Sequence, residues 1–205
     1  MSDRRREIIL KHYNDRLKIY GHDPRTLGWF KGRQKIRFKV LSEIGNMDKC
    51  SILDVGCGFG DLYGFLVKNG LDIDYLGIDI NPNLIKIAKD SHPMARFIVK
   101  DILDMKEKCS FDYVLASGLF EFKLKNQEVV LNDMIRKMFV VCKKGFAADF
   151  LSSYVDYETE DAFHAEPESI FSFCKTLSRR VTIRHDYLPF EFCIYVYHPR
   201  LNGIT

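Results

Sequence analysis

The run Ile52-Leu53-Asp54-Val55-Gly56-Cys57-Gly58-Phe59-Gly60-Asp61 sets the pattern for the whole chain. It begins as an apolar stretch of strand length, breaks into alternating glycines, and leads into the helix-like Leu62 to Val67. A strand, a glycine turn and a helix N-terminus in succession leave backbone N–H groups and a positive dipole end beside a gap without side chains. Such a gap suits a nucleotide-like ligand.

Outward from this stretch, short apolar runs alternate with helical segments. The predicted strands are Ser51–Val55, Tyr75–Ile80, Ala95–Val99, Phe111–Ala116, Gly145–Phe150, Val181–His185 and Phe190–Tyr197. Helices are expected near Asp61–Asn69, Asn83–Ser91, Val129–Val141 and Pro167–Leu177. Buried strands alternating with helices imply parallel crossovers, hence a doubly wound α/β sheet. The last two strands are joined by only a few residues around Leu188-Pro189, so the C-terminal edge should contain an antiparallel strand.

Upstream, residues 3–20 carry Ile8, Ile9, Leu10, Tyr13, Leu17 and Tyr20 at amphipathic helical spacing. Asp23-Pro24 signals a turn, and a second helix runs from Gln34 through Ile44 and stops at Gly45. The pair could simply cover a sheet edge. It could equally form a lid in which Tyr20, Trp29, Phe30 and Arg33 wall off the ligand. We divide the chain into an N-terminal helical extension, residues 1–48, and a ligand-binding domain, residues 49–205, the two forming one unit.

Composition narrows the class. At 205 residues, with 46% hydrophobic and 29% charged residues, the chain suits one filled core. No apolar run nears the roughly 20 residues that span a bilayer. The N-terminal Met1-Ser2-Asp3-Arg4-Arg5-Arg6 lacks a secretory pattern, so a cytoplasmic location is expected. Cys50, Cys57, Cys109, Cys142, Cys174 and Cys193 are scattered without a C-x-x-C pair, which indicates neither a metal site nor a disulfide framework. The net charge of +3 is spread along the chain and leaves no nucleic-acid footprint beyond the short cluster Arg4-Arg5-Arg6, which reads as a solvated tail rather than a phosphate contact.

In an open α/β sheet, ligands lie beyond the carboxyl ends of the strands. After the first strand come Asp54, Gly56, Gly58 and Gly60, with Asp61 placed to cap a helix. At the end of the second strand, Asp79 can accept both hydroxyls of a ribose, while Asn81 serves as the cap of the helix opening at Pro82. The third strand ends in Asp101-Ile102, where the acid can accept from an adenine amine while the apolar residue packs on the ring; a surface-turn aspartate is the alternative. The fourth ends in Ala116-Ser117-Gly118-Leu119-Phe120-Glu121-Phe122, small residues that leave room followed by aromatics.

The series Asp54-x-Gly56-x-Gly58-x-Gly60, Asp79, Asp101 resembles that of class I S-adenosylmethionine-dependent methyltransferases over roughly residues 50–150. Gly28-Trp29, Gln34, Arg37-Phe38 and Ala116-Ser117-Gly118 are similar to a group of small prokaryotic members. The resemblance implies a Rossmann-like, mainly parallel seven-stranded sheet with S-adenosylmethionine as cofactor. It further implies that Gly56, Gly58 and Gly60 lie against the methionine moiety and that Asp54 orders its amino group. Asp79 would bind ribose, Ile80 and Ile102 would sandwich adenine, and Asp101 would contact its amine. Ser117 would line the methionine pocket, and Trp29, Gln34 and Arg37 would meet the cofactor carboxylate or the substrate. A nicotinamide-dependent oxidoreductase competes, but its fingerprint is G-x-G-x-x-G, and here the glycines alternate strictly behind an aspartate.

If the acceptor is a hydroxyl or a protonated amine, a base must take its proton. The candidates are Glu121, His164 and, more remotely, His185 with Asp186. The acidic segment with Asp156, Glu158, Glu160, Asp161, Glu166 and Glu168 could attract a cationic acceptor or be a solvated loop. No Asn-Pro-Pro-Tyr motif follows the fourth strand and no base-methylating cysteine motif is found, which favours a small-molecule acceptor without membrane or nucleic-acid partners. The non-enzymatic alternative is a cofactor-binding regulatory or scaffold subunit.

Overall fold

The computed structural model describes residues 3–199 apart from 30, 31, 107, 109, 124 and 159, so Phe30 and Cys109 lie outside the described residues. The chain forms α1 (Asp3–Tyr20), α2 (Arg33–Ser42), β1 (Ser51–Val55), α3 (Asp61–Lys68), β2 (Asp74–Asp79), α4 (Pro82–Ser91), β3 (Arg96–Val99) and β4 (Phe111–Ala116). There follow α5 (Gln127–Val141), β5 (Cys142–Ser152), β6 (His164–Ala165), α6 (Pro167–Leu177), β7 (Arg180–Leu188) and β8 (Glu191–Tyr197).

The seven expected strands run in the order β3-β2-β1-β4-β5-β8-β7. All pair parallel except β8, which is antiparallel to both neighbours. The two-residue β6 adds to the end of β5, within the acidic segment that follows it. The strand order reverses between β1 and β4, which fixes the switch point above their carboxyl ends.

Alternate residues of the central strands face opposite sides. Leu53, Val114, Phe146 and Ala148 pack toward Ile135 and Met138 of α5 and Cys174 of α6. Ile52, Leu115 and Ala147 pack toward Leu41 of α2, Leu66 of α3 and Ala88 of α4. Helices on both faces explain why the strands read as continuous apolar runs.

The two N-terminal helices divide the roles considered for them. α2 buries Phe38, Val40 and Leu41 against the sheet and is part of the core. α1 buries no residue fully and lies across the strand ends, held by polar contacts. α2 ends at Ser42, two residues before the expected stop, and β5 is longer than the predicted Gly145–Phe150 because α5 runs straight into it. The five described cysteines are buried thiols, and no described helix is long and apolar enough to cross a membrane.

Candidate active site

The turn after β1 is tied to the second strand by Gly56 and Cys57 N–H groups donating to the Ile78 carbonyl at 2.8 and 3.0 Å. Gly56 and Gly58 have φ of +72° and +54°, and a Cβ on them would meet Leu119 at 2.7 Å and Leu27 at 2.8 Å, both side chains of the cleft wall. Their positive φ favours glycine, and a Cβ at either would have to displace a leucine side chain of the cleft wall. Gly60 differs from the expectation. Its α-carbon faces Phe97 and His92 rather than the cleft, and its left-handed φ opens α3. Asp61 does not cap that helix either; its carboxylate accepts from Gln34 Nε2 at 3.0 Å.

Four acidic or apolar positions at the strand ends converge on one cleft. Asp79 and Ile80 from the end of β2 and Asp101 and Ile102 beyond β3 line it together with Gly56, Gly58 and Ser117. Asp79 accepts N–H groups from Gly58 at 3.1 Å and Asn81 at 2.8 Å, and burial raises its pKa. Asn81 is the N-cap of α4, accepting from Asn83 and Leu84, so Asp79 is not needed as a cap. Asp101 is 5% exposed and accepts the Leu103 N–H at 3.0 Å, so it caps the single turn Ile102–Asp104 and is a buried turn aspartate at the cleft.

Asp54 lies deeper, bordering a small niche with Gln34, Gly56, Asp61, Ser117 and Trp29. The Tyr75 hydroxyl donates to it. Burial pushes the Asp54 carboxyl up to about 7, against the Tyr75 bond and with Asp79 adding to the rise.

α1 closes the cleft from above. Arg6 bridges Asp101 at 3.3 Å and Asp104 at 3.2 Å, Arg5 donates to Gln127, and Asn14 accepts from Asn81 and Asn83 at 3.0 Å each. Ile9 and Tyr13 fill the roof. The space beneath is ≈ 120 Å³, below the roughly 300–1,000 Å³ of ordinary ligand sites.

A second chamber of ≈ 470 Å³ adjoins the first and shares Tyr13, Leu27, Trp29 and Phe122 with it. Glu121 and His164, the candidate bases, both line this chamber, as do Arg33, Asp156 and Asp161. His185 and Asp186 do not line it; Asp186 pairs with Arg184 at 2.7 Å. Tyr20 lines neither chamber and lies under the guanidinium groups of Arg16 and Arg25.

Arg37, expected to meet the cofactor carboxylate or the substrate, lines the second chamber and not the first. Its buried guanidinium pairs with Glu121 and Glu191, lies 3.7 Å from Asp149 and stacks 4.3 Å from the Trp29 ring centre. Burial opposes its charge, but Glu121, Asp149 and Glu191 prevail and raise its pKa. Asp149 accepts from Ser117 Oγ at 2.7 Å and from Gly118 N–H at 2.6 Å. Burial pushes Asp149 up to about 6, against Arg37 and with Glu121 adding to the rise.

Asp149, Glu191, Tyr13 and Leu27 were not singled out from the sequence. An aspartate inside the apolar run Gly145–Phe150 was a usable signal, since a charge in a buried strand needs a partner or a task. Nothing local marked Tyr13 or Leu27.

The cleft fits the cofactor implied by the resemblance. It offers the carboxylates of Asp79 and Asp101, apolar side chains beside them, a glycine turn a Cβ would fill, and buried Asp54 at the far end. Among the described residues no cluster could hold a metal ion. Residues 52–166 match the methyltransferase-domain family. A methyltransferase of Mycobacterium tuberculosis is 32% identical over 73% of this chain and 93% of its own length. Magnesium-protoporphyrin O-methyltransferase of Rhodobacter capsulatus is 36% identical over 42% of this chain and 40% of its own length. The fold matches that of magnesium protoporphyrin IX methyltransferase from Synechocystis, solved with S-adenosylhomocysteine bound, at a TM-score of 0.68, 14% identity, and coverage of 94% of this chain and 99% of that one. The chain thus belongs to the class I S-adenosylmethionine-dependent methyltransferases, with S-adenosylmethionine as its cofactor.

Proposed function

We propose that the protein methylates a small molecule at oxygen or nitrogen, with the acceptor seated in the chamber bounded by Tyr13, Trp29, Glu121 and His164. The observation that carries this reading is the meeting of the two chambers at Tyr13, Leu27, Trp29 and Phe122. One side of that junction presents nucleoside-binding chemistry and the other a carboxylate and an imidazole. When bound, the cofactor supplies an electrophilic methyl group on a sulfonium.

Asp79 holds the ribose hydroxyls, Asp101 the adenine amine, Ile80 and Ile102 the ring faces, and Asp54 the amino group. Ser117, Gly56 and Gly58 surround the methionine chain. Transfer is an in-line displacement, so the work of the chain is to align the acceptor and exclude water. α1 and Trp29 close over the junction. Glu121, held toward the chamber by Arg37, takes the acceptor's proton, and His164 is the second candidate. The extension of residues 1–48 thereby contributes α1 as the closing element and α2 as part of the support. We place the activity in the cytoplasm.

The Arg37–Glu121 pair also suits a scaffold reading, because an ion pair can serve structure alone. Glu121→Gln separates the two. Enzymatic use of Glu121 predicts unchanged S-adenosylmethionine affinity by calorimetry and a turnover loss of roughly 10²–10⁴-fold. Turnover equal to wild type would remove Glu121 from the chemistry.

A further inference from the structure

One buried guanidinium faces three buried or half-buried carboxylates below the cofactor cleft. Arg37 bonds directly to Glu121 and Glu191, whereas Asp149 stands 3.7 Å away and is the least compensated of the three. Asp149 is 1% exposed and Glu191 2% exposed, so water does not screen the surplus. Among the described residues, Arg37 is the cation that acts on Asp149. Facing it are Ser117, Gly118 N–H and Glu121 beyond β4, Arg37 from α2, Asp54 from β1, Tyr187 from β7, and Glu191 and Cys193 from β8. Of these only Arg37 is a cation.

Ser117 and Gly118, the two groups that Asp149 holds, themselves line the cofactor cleft. We propose that Asp149 is a positioning residue that matches the site to the charge of the cofactor: ionised beneath the sulfonium of S-adenosylmethionine, protonated beneath the neutral thioether of S-adenosylhomocysteine. The inference rests on cofactor binding and not on the acceptor.

The geometry says where the proton goes. Oδ1 accepts the fixed Gly118 N–H, leaving Oδ2 as the site of protonation. Ionised, Oδ2 accepts the Ser117 hydroxyl, and the serine lone pairs are left to face the cleft, which suits a cation. Protonated, Oδ2 donates to Ser117 Oγ and the serine O–H is released toward the cleft, which suits a neutral sulfur. Burial already holds the carboxyl near the point where one nearby charge shifts its state. The proton exchanged comes from and returns to solvent.

The test is calorimetry of the full chain with S-adenosylmethionine and with S-adenosylhomocysteine, in buffers of different ionisation enthalpy, at about pH 6 and about pH 8. Asp54 meets an amino group present in both ligands, so its response cancels in the difference. At about pH 6, S-adenosylmethionine should release about half a proton and S-adenosylhomocysteine should take up about half a proton, a difference of about one. The affinity ratio should move toward S-adenosylmethionine as pH rises, by at most about tenfold per pH unit. Asp149→Asn should abolish both effects while still binding both ligands. Equal proton counts for the two ligands in the wild-type protein would overturn the inference, whatever the variant does. Failure of both ligands to bind would overturn the cofactor assignment and this inference with it, a result distinct from equal counts because no heat is seen.

Discussion

Asp79→Ala removes the acceptor at the end of β2 on which ribose binding is proposed to rest. Each of its oxygens already accepts one backbone N–H, from Gly58 at 3.1 Å and from Asn81 at 2.8 Å. A carboxylate has about four lone-pair sites in all, so about two remain for a pair of vicinal hydroxyls. Hydrogen bonds to a charged group contribute about 1.5–3 kcal/mol each, which gives about 3–6 kcal/mol for the pair. Burial raises the Asp79 pKa, and the lower end of the range is the minimum expected loss. About 3 kcal/mol corresponds to a loss of roughly 10²-fold in affinity. Calorimetric titration with S-adenosylmethionine measures this directly, and Asp79→Asn, which keeps one acceptor oxygen, should fall between alanine and wild type. The alanine variant also leaves the Gly58 and Asn81 N–H groups unpaired, at a cost of about 1–3 kcal/mol each if they stay dry, so titration belongs well below its melting midpoint. A folded Asp79→Ala protein whose affinity stays within about threefold of wild type would refute the ribose role.

Two further outcomes follow from buried groups. Burial raises Asp54 from 3.8 to about 7 and Asp149 from 3.8 to about 6, so both bind protons more tightly folded than unfolded. The stability they lend is full below about pH 4 and is lost as pH rises through about 6 and 7, on the order of several kcal/mol together. The melting temperature of the ligand-free protein should therefore rise as pH is lowered from about 8 to about 5, and Asp54→Asn should flatten that slope; a melting temperature that falls over this range contradicts the burial of these acids. Trp29 is the single tryptophan, is 7% exposed and borders both chambers, so its fluorescence reports the junction without labelling. Saturating cofactor should change its emission, and an unchanged spectrum would place the ligand elsewhere.

Much of this arrangement was legible before the structure because its signals are local. The glycines after β1, the apolar strand runs and the caps each depend on a few adjacent residues, and Pro167–Leu177 was predicted with its observed bounds. Asp79 and Asp101 were found because strand ends in an α/β sheet lie on one edge. What escaped depends on long-range contact. Arg37 is separated by more than a hundred residues from Asp149 and Glu191, and no periodicity announces that its charge is spent on them. Gly60 fits the alternation of its motif, yet the chain has turned by that point and its α-carbon faces Phe97. The contact of Arg6 with Asp101 joins a solvated-looking basic cluster to the cleft, and nothing in Arg4-Arg5-Arg6 itself distinguishes it from a free tail.

The central claim is tested most directly by incubating the protein with S-adenosylmethionine labelled at the methyl group and a broad metabolite mixture, and following the label. Label should pass to oxygen or nitrogen of one or a few small molecules, and Glu121→Gln should suppress that transfer while still binding cofactor. Tight cofactor binding with no label on any small molecule, or label on protein or nucleic acid alone, would contradict it.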